Sequence, residues 1–305
     1  MAAHDNIINK AAVVAALDQE FVANFSGEYE RFAEILGLFP VQVLPAGTTL
    51  YKYSISGSLL NTTTTDGSSG SAYVEGDFIA RSKYTLTKSS VGSMEFKPYA
   101  KESTGQAIQK GAVNNAILRT DKQMGKDIRG AILVDFFTAL STNASSTASG
   151  VGLQAAIAQA AAKLSDTMET RNDEPGRVVY FVNPYDIADY LANANVTVQN
   201  VFGMRYLQSF LGVEDILITN KVSSGTIIAT PVDNIHVYGM DFSTLDDSGL
   251  SYETDELGLV GVHHAASYDR ASVTTYALRG ATFLPEITDY IVKATISEAT
   301  TTTTH

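Results

Sequence analysis

TTLYKYSIS at Thr48–Ser56, NTTTTDGSSGS at Asn61–Ser71 and RSKYTLTKSSVGSMEFKP at Arg81–Pro98 decide how this chain is read. The first stretch alternates Tyr51, Tyr53 and Ile55 with Lys52, Ser54 and Ser56, which is the period of a half-buried strand. The second is polar and low in complexity, with almost nothing to bury. The third alternates again through Tyr84 and Leu86 and resumes at Met94 and Phe96. Together they predict a hairpin with arms of about 13 residues, roughly 40 Å long at ~3.3 Å per residue. A two-stranded ribbon is marginal in water by itself. One this long is expected to lie on another surface, such as a second copy of the chain.

The flanks extend the pattern. Phe21, Phe25, Tyr29, Phe32 and Leu36 recur at helical spacing and predict an amphipathic helix over Leu17–Leu38, closed by Pro40 and the Pro45-Ala46-Gly47 turn. After the hairpin, Ser103 and Gln106 form a capping-box pattern. Met124, Ile128, Ile132, Phe136 and Leu140 then repeat every fourth residue. A continuous helix over Gly105–Leu140 would reach about 50 Å. STNASSTASG at Ser141–Gly150 reads as a linker. Beyond it, a helix over Val151–Thr167, a strand at Val178–Val182 and a helix opened by Asn183-Pro184 alternate as in an α/β block. Further strands are predicted at Asp215–Thr219, Thr226–Thr230, Asn234–Gly239, Ser272–Leu278 and Ile287–Ile296.

Composition narrows the function. The chain has 305 residues, 45% of them apolar, enough for a large buried core. It has no cysteine, which removes disulfides, thiolate metal sites and thiol nucleophiles. A net charge of −12 argues against a surface devoted to gripping nucleic acid. No apolar run approaches the ~20 residues that span a bilayer, and no basic-then-apolar leader is read at the N-terminus, so an intracellular product with no membrane partner is expected. The charge is uneven. Arg81–Arg129 holds ten basic side chains against four acidic ones, whereas Val222–Asp269 has eight acidic side chains and no Lys or Arg. Such a basic block and acidic block suit head-to-tail contact between copies, although two solvated faces would read the same way. A basic face lying near packaged nucleic acid is a third reading.

Catalytic and metal chemistry find little support. The glycines at Gly57, Gly67, Gly70 and Gly76 lack the spacing of a phosphate-binding loop. His263 and His264 are adjacent, so in a strand they point to opposite faces and cannot share a metal. Asp246, Asp247, Glu253, Asp255 and Glu256 offer hard oxygen ligands, but their spacing fits no calcium loop, and solvated acidic surface is the better reading. No Gly-x-Ser-x-Gly elbow accompanies the serines. No catalytic residue, cofactor or metal ligand is assigned.

The order of parts, with LPAGTTLYKY at Leu44–Tyr53, EGDFIARSKYTL at Glu75–Leu86, KPYAKESTGQAI at Lys97–Ile108, FVNPYDIADYL at Phe181–Leu191, VDNIHVYGMDF at Val232–Phe242 and ALRGATFLP at Ala277–Pro285, resembles the major capsid proteins of tailed bacteriophages. Encapsulins share that shell fold. The resemblance implies an α+β fold with an N-terminal arm at 1–46 and an extended two-stranded E-loop at 47–101. It further implies a peripheral domain with a long spine helix at 102–150 and 265–296, an inserted axial α/β domain at 151–264, and a flexible tail at 297–305. It implies a non-enzymatic subunit that assembles as hexamers and pentamers into an icosahedral capsid around phage DNA, in the virion after assembly in the host cytoplasm. The expected partners are the chain itself, a separate scaffolding protein, a portal, and DNA held by non-specific proximity. The E-loop would lie across a neighbouring subunit, making Tyr51, Tyr53, Arg81, Lys83 and Lys88 contact candidates opposite Asp246, Asp247, Glu253, Asp255 and Glu256. No covalent crosslink is expected, since no lysine–asparagine pair maps onto this sequence. An encapsulin-like compartment shell, a small-molecule-binding α/β enzyme and a secreted adhesion protein are the rival readings.

Overall fold

A computed structural model describes residues 10–27, 32, 35–56, 85–174, 176–193 and 215–298. It divides into two compact units: a small one over Gly47–Met94, and a body built from the remainder of the chain.

The body opens with helix α1, Lys10–Gly27. It starts before the expected Leu17 because four of the six residues of Ala11–Ala16 are alanines, the strongest helix formers. Of the rest of the expected helix, Phe32, Ile35 and Leu36 are described as helical, and the other residues between Gly27 and Ile35 lie outside the described set. Strand β1, Val41–Pro45, follows.

The expected second arm, Arg81–Pro98, is two strands rather than one. Strand β2, Thr49–Ser56, pairs antiparallel with β3, Thr85–Ser93, with a bulge at Leu50/Tyr51. The chain then leaves the ladder, and β4, Lys97–Thr104, joins a different sheet. The polar tip at 61–71, together with Arg81 and Lys83, lies outside the described residues.

The long helix is broken. Helix α2, Gly105–Val113, ends at Ala112, whose φ of 55° lies in the left-handed region. A π-helical turn at Asn114–Leu118 leads into α3, Arg119–Asn143. Two causes are local. Gly111, Asn114 and Asn115 are weak helix formers. In addition, side chains of β4 take the carbonyls that a straight helix would use, since Ser103 Oγ donates to Ala116 O at 2.8 Å and Lys101 Nζ to Ile117 O at 3.3 Å. With Ser103 so engaged, the cap of α2 falls to Thr104, whose Oγ1 accepts from the Ala107 N–H. Gly105 is required just there, because a Cβ would stand 2.7 Å from Ala271 O.

The segment Ser141–Gly150 is not a linker. Helix α3 runs through Asn143, and β5, Ser146–Val151, pairs in parallel with the last described strand, β14, Val292–Ser297. Its small polar residues suit an edge strand pressed against a helix: a Cβ at Gly150 would lie 2.4 Å from the Ala155 backbone of α4, Gly152–Thr170. The five-stranded sheet runs β5-β14-β8-β6-β7, with β6 at Val178–Val182, β7 at Asp215–Ile218 and β8 at Thr226–Pro231. Helix α5, Pro184–Asn193, follows β6 as expected, with Asn183 Oδ1 accepting from the Tyr185 N–H.

Both faces of this sheet are covered, which is why VVYFV in β6 is a continuous apolar run. Val179, Phe181, Leu217 and Ile228 belong to one core with Phe136 and Phe137 of α3. Tyr180, Val182, Ile216, Ile227, Val292 and Ala294 belong to a second core with Leu153, Ile157 and Leu164 of α4. Phe136 is the aromatic hub, with ring centroids 5.1–5.9 Å from Phe137, Phe181 and Phe283 and 5.3 Å from Phe39.

Two smaller sheets complete the body. One orders β1, β9 (Ile235–Asp241) and β13 (Thr282–Pro285) as β1-β9-β13, with β1 parallel to β9. The other is β10-β11-β12-β4, with β10 at Glu253–Thr254, β11 at Val260–Ser267 and β12 at Ser272–Arg279. Helix α1 packs on β11 and α3, burying Phe21 and Phe25 in the first core.

Candidate subunit-contact surfaces and a buried ionic cluster

The β2–β3 ribbon brings three of the candidate residues together. Tyr53 stands opposite Lys88 in the register, and Lys88 Nζ lies 3.6 Å from the Tyr51 ring centroid and 5.9 Å from that of Tyr53. The ammonium thus bridges two ring faces. Both tyrosines are exposed, at 46% and 57%, and so is every residue of β3, including Leu86 and Val91. Among the described residues of this unit, Leu50 and Met94 are buried, while Tyr51, Tyr53, Leu86 and Val91 face solvent.

The acidic candidates scatter. Asp246 is exposed in the 3-10 turn Phe242–Ser248, and the Asp247 side chain lies outside the described set. Glu253 on β10 and Glu256 beyond it are exposed. Asp255 departs from the solvated-surface reading. It is buried, and its carboxylate accepts from the backbone N–H groups of Leu259 (2.7 Å) and Val260 (2.8 Å). Burial pushes its pKa up, against the pull of those N–H groups. It closes its own turn, with Gly258 at φ +63°, and its carboxylate is committed there. Among the described residues, no group of three or more His, Asp or Glu side chains is arranged to hold a metal ion.

The most organised polar site is one that sequence reasoning missed. His264 of β11 is fully enclosed. Its Nδ1 lies 2.5 Å from Asp18 Oδ1 of α1, and its Nε2 lies 3.1 Å from Asp121 Oδ2 of α3. The His264 backbone N–H also donates to Asp18 Oδ1, at 2.9 Å. Lys101 Nζ of β4 sits 2.7 Å from Asp121 Oδ1, and Thr275 Oγ1 of β12 donates to that same oxygen at 3.0 Å. Burial alone disfavours the imidazolium, but the hydrogen bonds and charges of Asp121 and Asp18 outweigh it and raise the His264 pKa to about 9. Burial likewise pushes the Asp121 carboxyl up, and His264 and Lys101 reverse that and hold it below its ordinary value. The His264 imidazolium, with Lys101 beside it, thus faces the carboxylates of Asp18 and Asp121, the pairing that lets charges be buried. The expectation for the histidine pair holds in one respect: His263 points to the other face, where its ring lies 6.3 Å from that of Tyr252. No spacing signal marks the cluster, because Asp18 and Asp121 lie 246 and 143 residues from His264.

A second buried cation belongs to α3. Arg129 Nη1 donates to Asn24 O (2.9 Å) and Phe25 O (2.6 Å), capping the C-terminal carbonyls of α1.

No protein-family model matches the chain, and no curated protein sequence matches it. Its fold has clear counterparts among solved structures. The capsid of a native GTA particle is 9% identical with a TM-score of 0.56, over 89% of this chain and 92% of that chain. The capsid of cyanophage P-SCSP1u is 8% identical with a TM-score of 0.54, over 86% and 87% respectively. The holo-SrpI encapsulin complex of Synechococcus elongatus PCC 7942 is 10% identical with a TM-score of 0.51, over 100% of this chain and 95% of that chain. The chain has the α+β fold that tailed-phage capsid proteins and encapsulins share.

Proposed function

We propose that this chain is a structural subunit that self-assembles, as hexamers and pentamers, into an icosahedral phage capsid enclosing DNA. The observation that carries the reading is the β2–β3 ribbon, with exposed tyrosines and a fully exposed β3, on a fold whose counterparts form capsids. A ribbon of that kind gains its stability by lying on something else, and in a shell a neighbouring copy supplies the surface. The unit Gly47–Met94 is then the E-loop, with the N-terminal arm expected at 1–46 before it, while the expected peripheral (102–150, 265–296) and axial (151–264) parts share sheets, since β14 joins β5, β6, β7 and β8 and β11 joins β12 and β4. The subunit is not an enzyme. A separate scaffolding protein and a portal serve assembly in the host cytoplasm, and the product is the virion shell.

Contacts between copies include Tyr51, Tyr53, Lys88, Arg81 and Lys83 on the ribbon side, with Asp246, Asp247, Glu253 and Glu256 on the acidic side. Exposed ion pairs contribute only ~0–1 kcal/mol each. A shell repeats each contact many times, and weak contacts let misplaced subunits leave. Assembly followed by light scattering should therefore respond to ionic strength, and a salt-independent yield would remove the charge pairing from the account.

Negative-stain electron microscopy of the protein alone, and with a candidate scaffolding protein, tests the main reading. Closed particles or rings of five and six support it. A monodisperse monomer under both conditions overturns it. Particles that co-purify with an enzyme and no nucleic acid would favour a compartment shell, for which the encapsulin counterpart is the specific support.

A further inference from the structure

We infer that the Asp18–His264–Asp121 cluster is a charge latch that holds helix α1 closed on the body, and that loss of the His264 proton releases that helix. Asp18 is the polar anchor at the middle of α1, and among the described residues its donors are the ring and backbone N–H groups of one residue, His264. Asp121 is better provided, with Lys101 and Thr275 as well as His264.

The groups that face the imidazole are Asp18 from α1 and Asp121 from α3, the latter paired with Lys101 of β4 and Thr275 of β12. From β10, which also packs on α1, Glu253 is exposed, and the Asp255 carboxylate beside it is turned to its own loop. With both ring nitrogens protonated, His264 donates to both carboxylates at once. A neutral imidazole keeps one proton, so one carboxylate is left facing a lone pair in a dry interior. Whichever nitrogen keeps the proton, Asp121 retains the charge of Lys101, whereas Asp18 loses the one cation that faces it among the described residues, so the cost falls on Asp18 and on the helix that carries it. Arg129 at the C-terminal end and the Phe21–Phe25 face would keep the far end of α1 seated, so opening starts at its N-terminal turns. The latch is independent of what the shell encloses.

The sign follows from linkage. The folded pKa of His264 is raised from the ordinary 6.5 to about 9. The stabilisation is complete below about 6.5 and is lost as pH rises through about 9. The opening equilibrium of α1 then grows by no more than about a hundredfold between pH 7 and pH 10, since one proton gives at most tenfold per pH unit and the gain stops above the folded pKa of about 9.

Hydrogen exchange on the full chain, with rates corrected for the pH dependence of intrinsic exchange, reads this directly. The expected result is a loss of protection in residues 10–20 between pH 7 and 10, while β8 and β14 keep theirs. His264→Gln should open α1 already at pH 7 and abolish the pH step. Should that variant fail to fold, Asp18→Asn keeps an acceptor oxygen, removes one charge, and should move the step to lower pH. Protection of α1 that is flat from pH 7 to 10 overturns the inference. So does loss of α1 and β14 together, or an Asp18→Asn profile identical to that of the parent.

Discussion

Strands β6 and β3 are both short, and their surroundings are opposite. Strand β6 reads VVYFV, with its side chains shared between two cores, whereas β3 reads TLTKSSVGS and is exposed throughout. One strand is held by its own chain from both sides. The other is held by a single partner strand and a tyrosine–lysine stack. The contrast separates a body stabilised by its own cores from a ribbon on which Tyr51, Tyr53, Leu86 and Val91 stay exposed.

The largest effect that would sharpen this contrast is at Phe136. Phe136→Ala removes the hub of the aromatic core and should destabilise the isolated chain by about 3–5 kcal/mol in denaturant unfolding. A loss under 1 kcal/mol would break the view that this core carries the body. Next is the pH dependence of the body. Asp121 is held below its ordinary range, so its contribution is present above about pH 4 and fades as pH falls through its lowered pKa. His264 contributes below pH 6.5 and fades through about 9. Urea midpoints should trace a plateau near neutrality with both flanks falling, and His264→Gln should flatten the alkaline flank. On the ribbon, Tyr53→Ser should change unfolding of the unassembled chain by less than about 0.5 kcal/mol and still cut particle yield in light scattering. Normal assembly by that variant would count against the ribbon as an interface. The most local effect is that of Lys88→Ala, which removes a cation–π contact of at most about 0.5–1 kcal/mol. It should raise amide exchange in β2 and β3 and leave β6 untouched.

Local chemistry made much of this legible in the sequence. The alternation of Tyr51 and Tyr53 gave the ribbon, the four-residue spacing from Met124 to Leu140 gave the buried face of α3, and Asn183-Pro184 gave a helix start. Where a distant residue decided the outcome, the sequence was silent or misleading. Ser141–Gly150 reads as a linker because its small polar residues meet their partners, β14 and the α4 backbone, only in the fold. The long helix breaks at Ala112 because Lys101 and Ser103, on a preceding strand, take carbonyls beyond the break. The His264 cluster was invisible for a similar reason, since α1, α3, β4, β11 and β12 each supply one group.

Strand β14 lies between β5 and β8, parallel to the first and antiparallel to the second. During synthesis β5 emerges well before its partner, and for that whole interval the five-stranded sheet lacks a central member. Pairings this distant along the chain are slow to form. A nascent fragment ending before Val292 would expose the apolar faces of β8 and α4 that β14 covers, a surface prone to association with its like. Completion of the sheet thus acts as a timing device: the chain cannot close this sheet until residues Val292–Ser297 have been made.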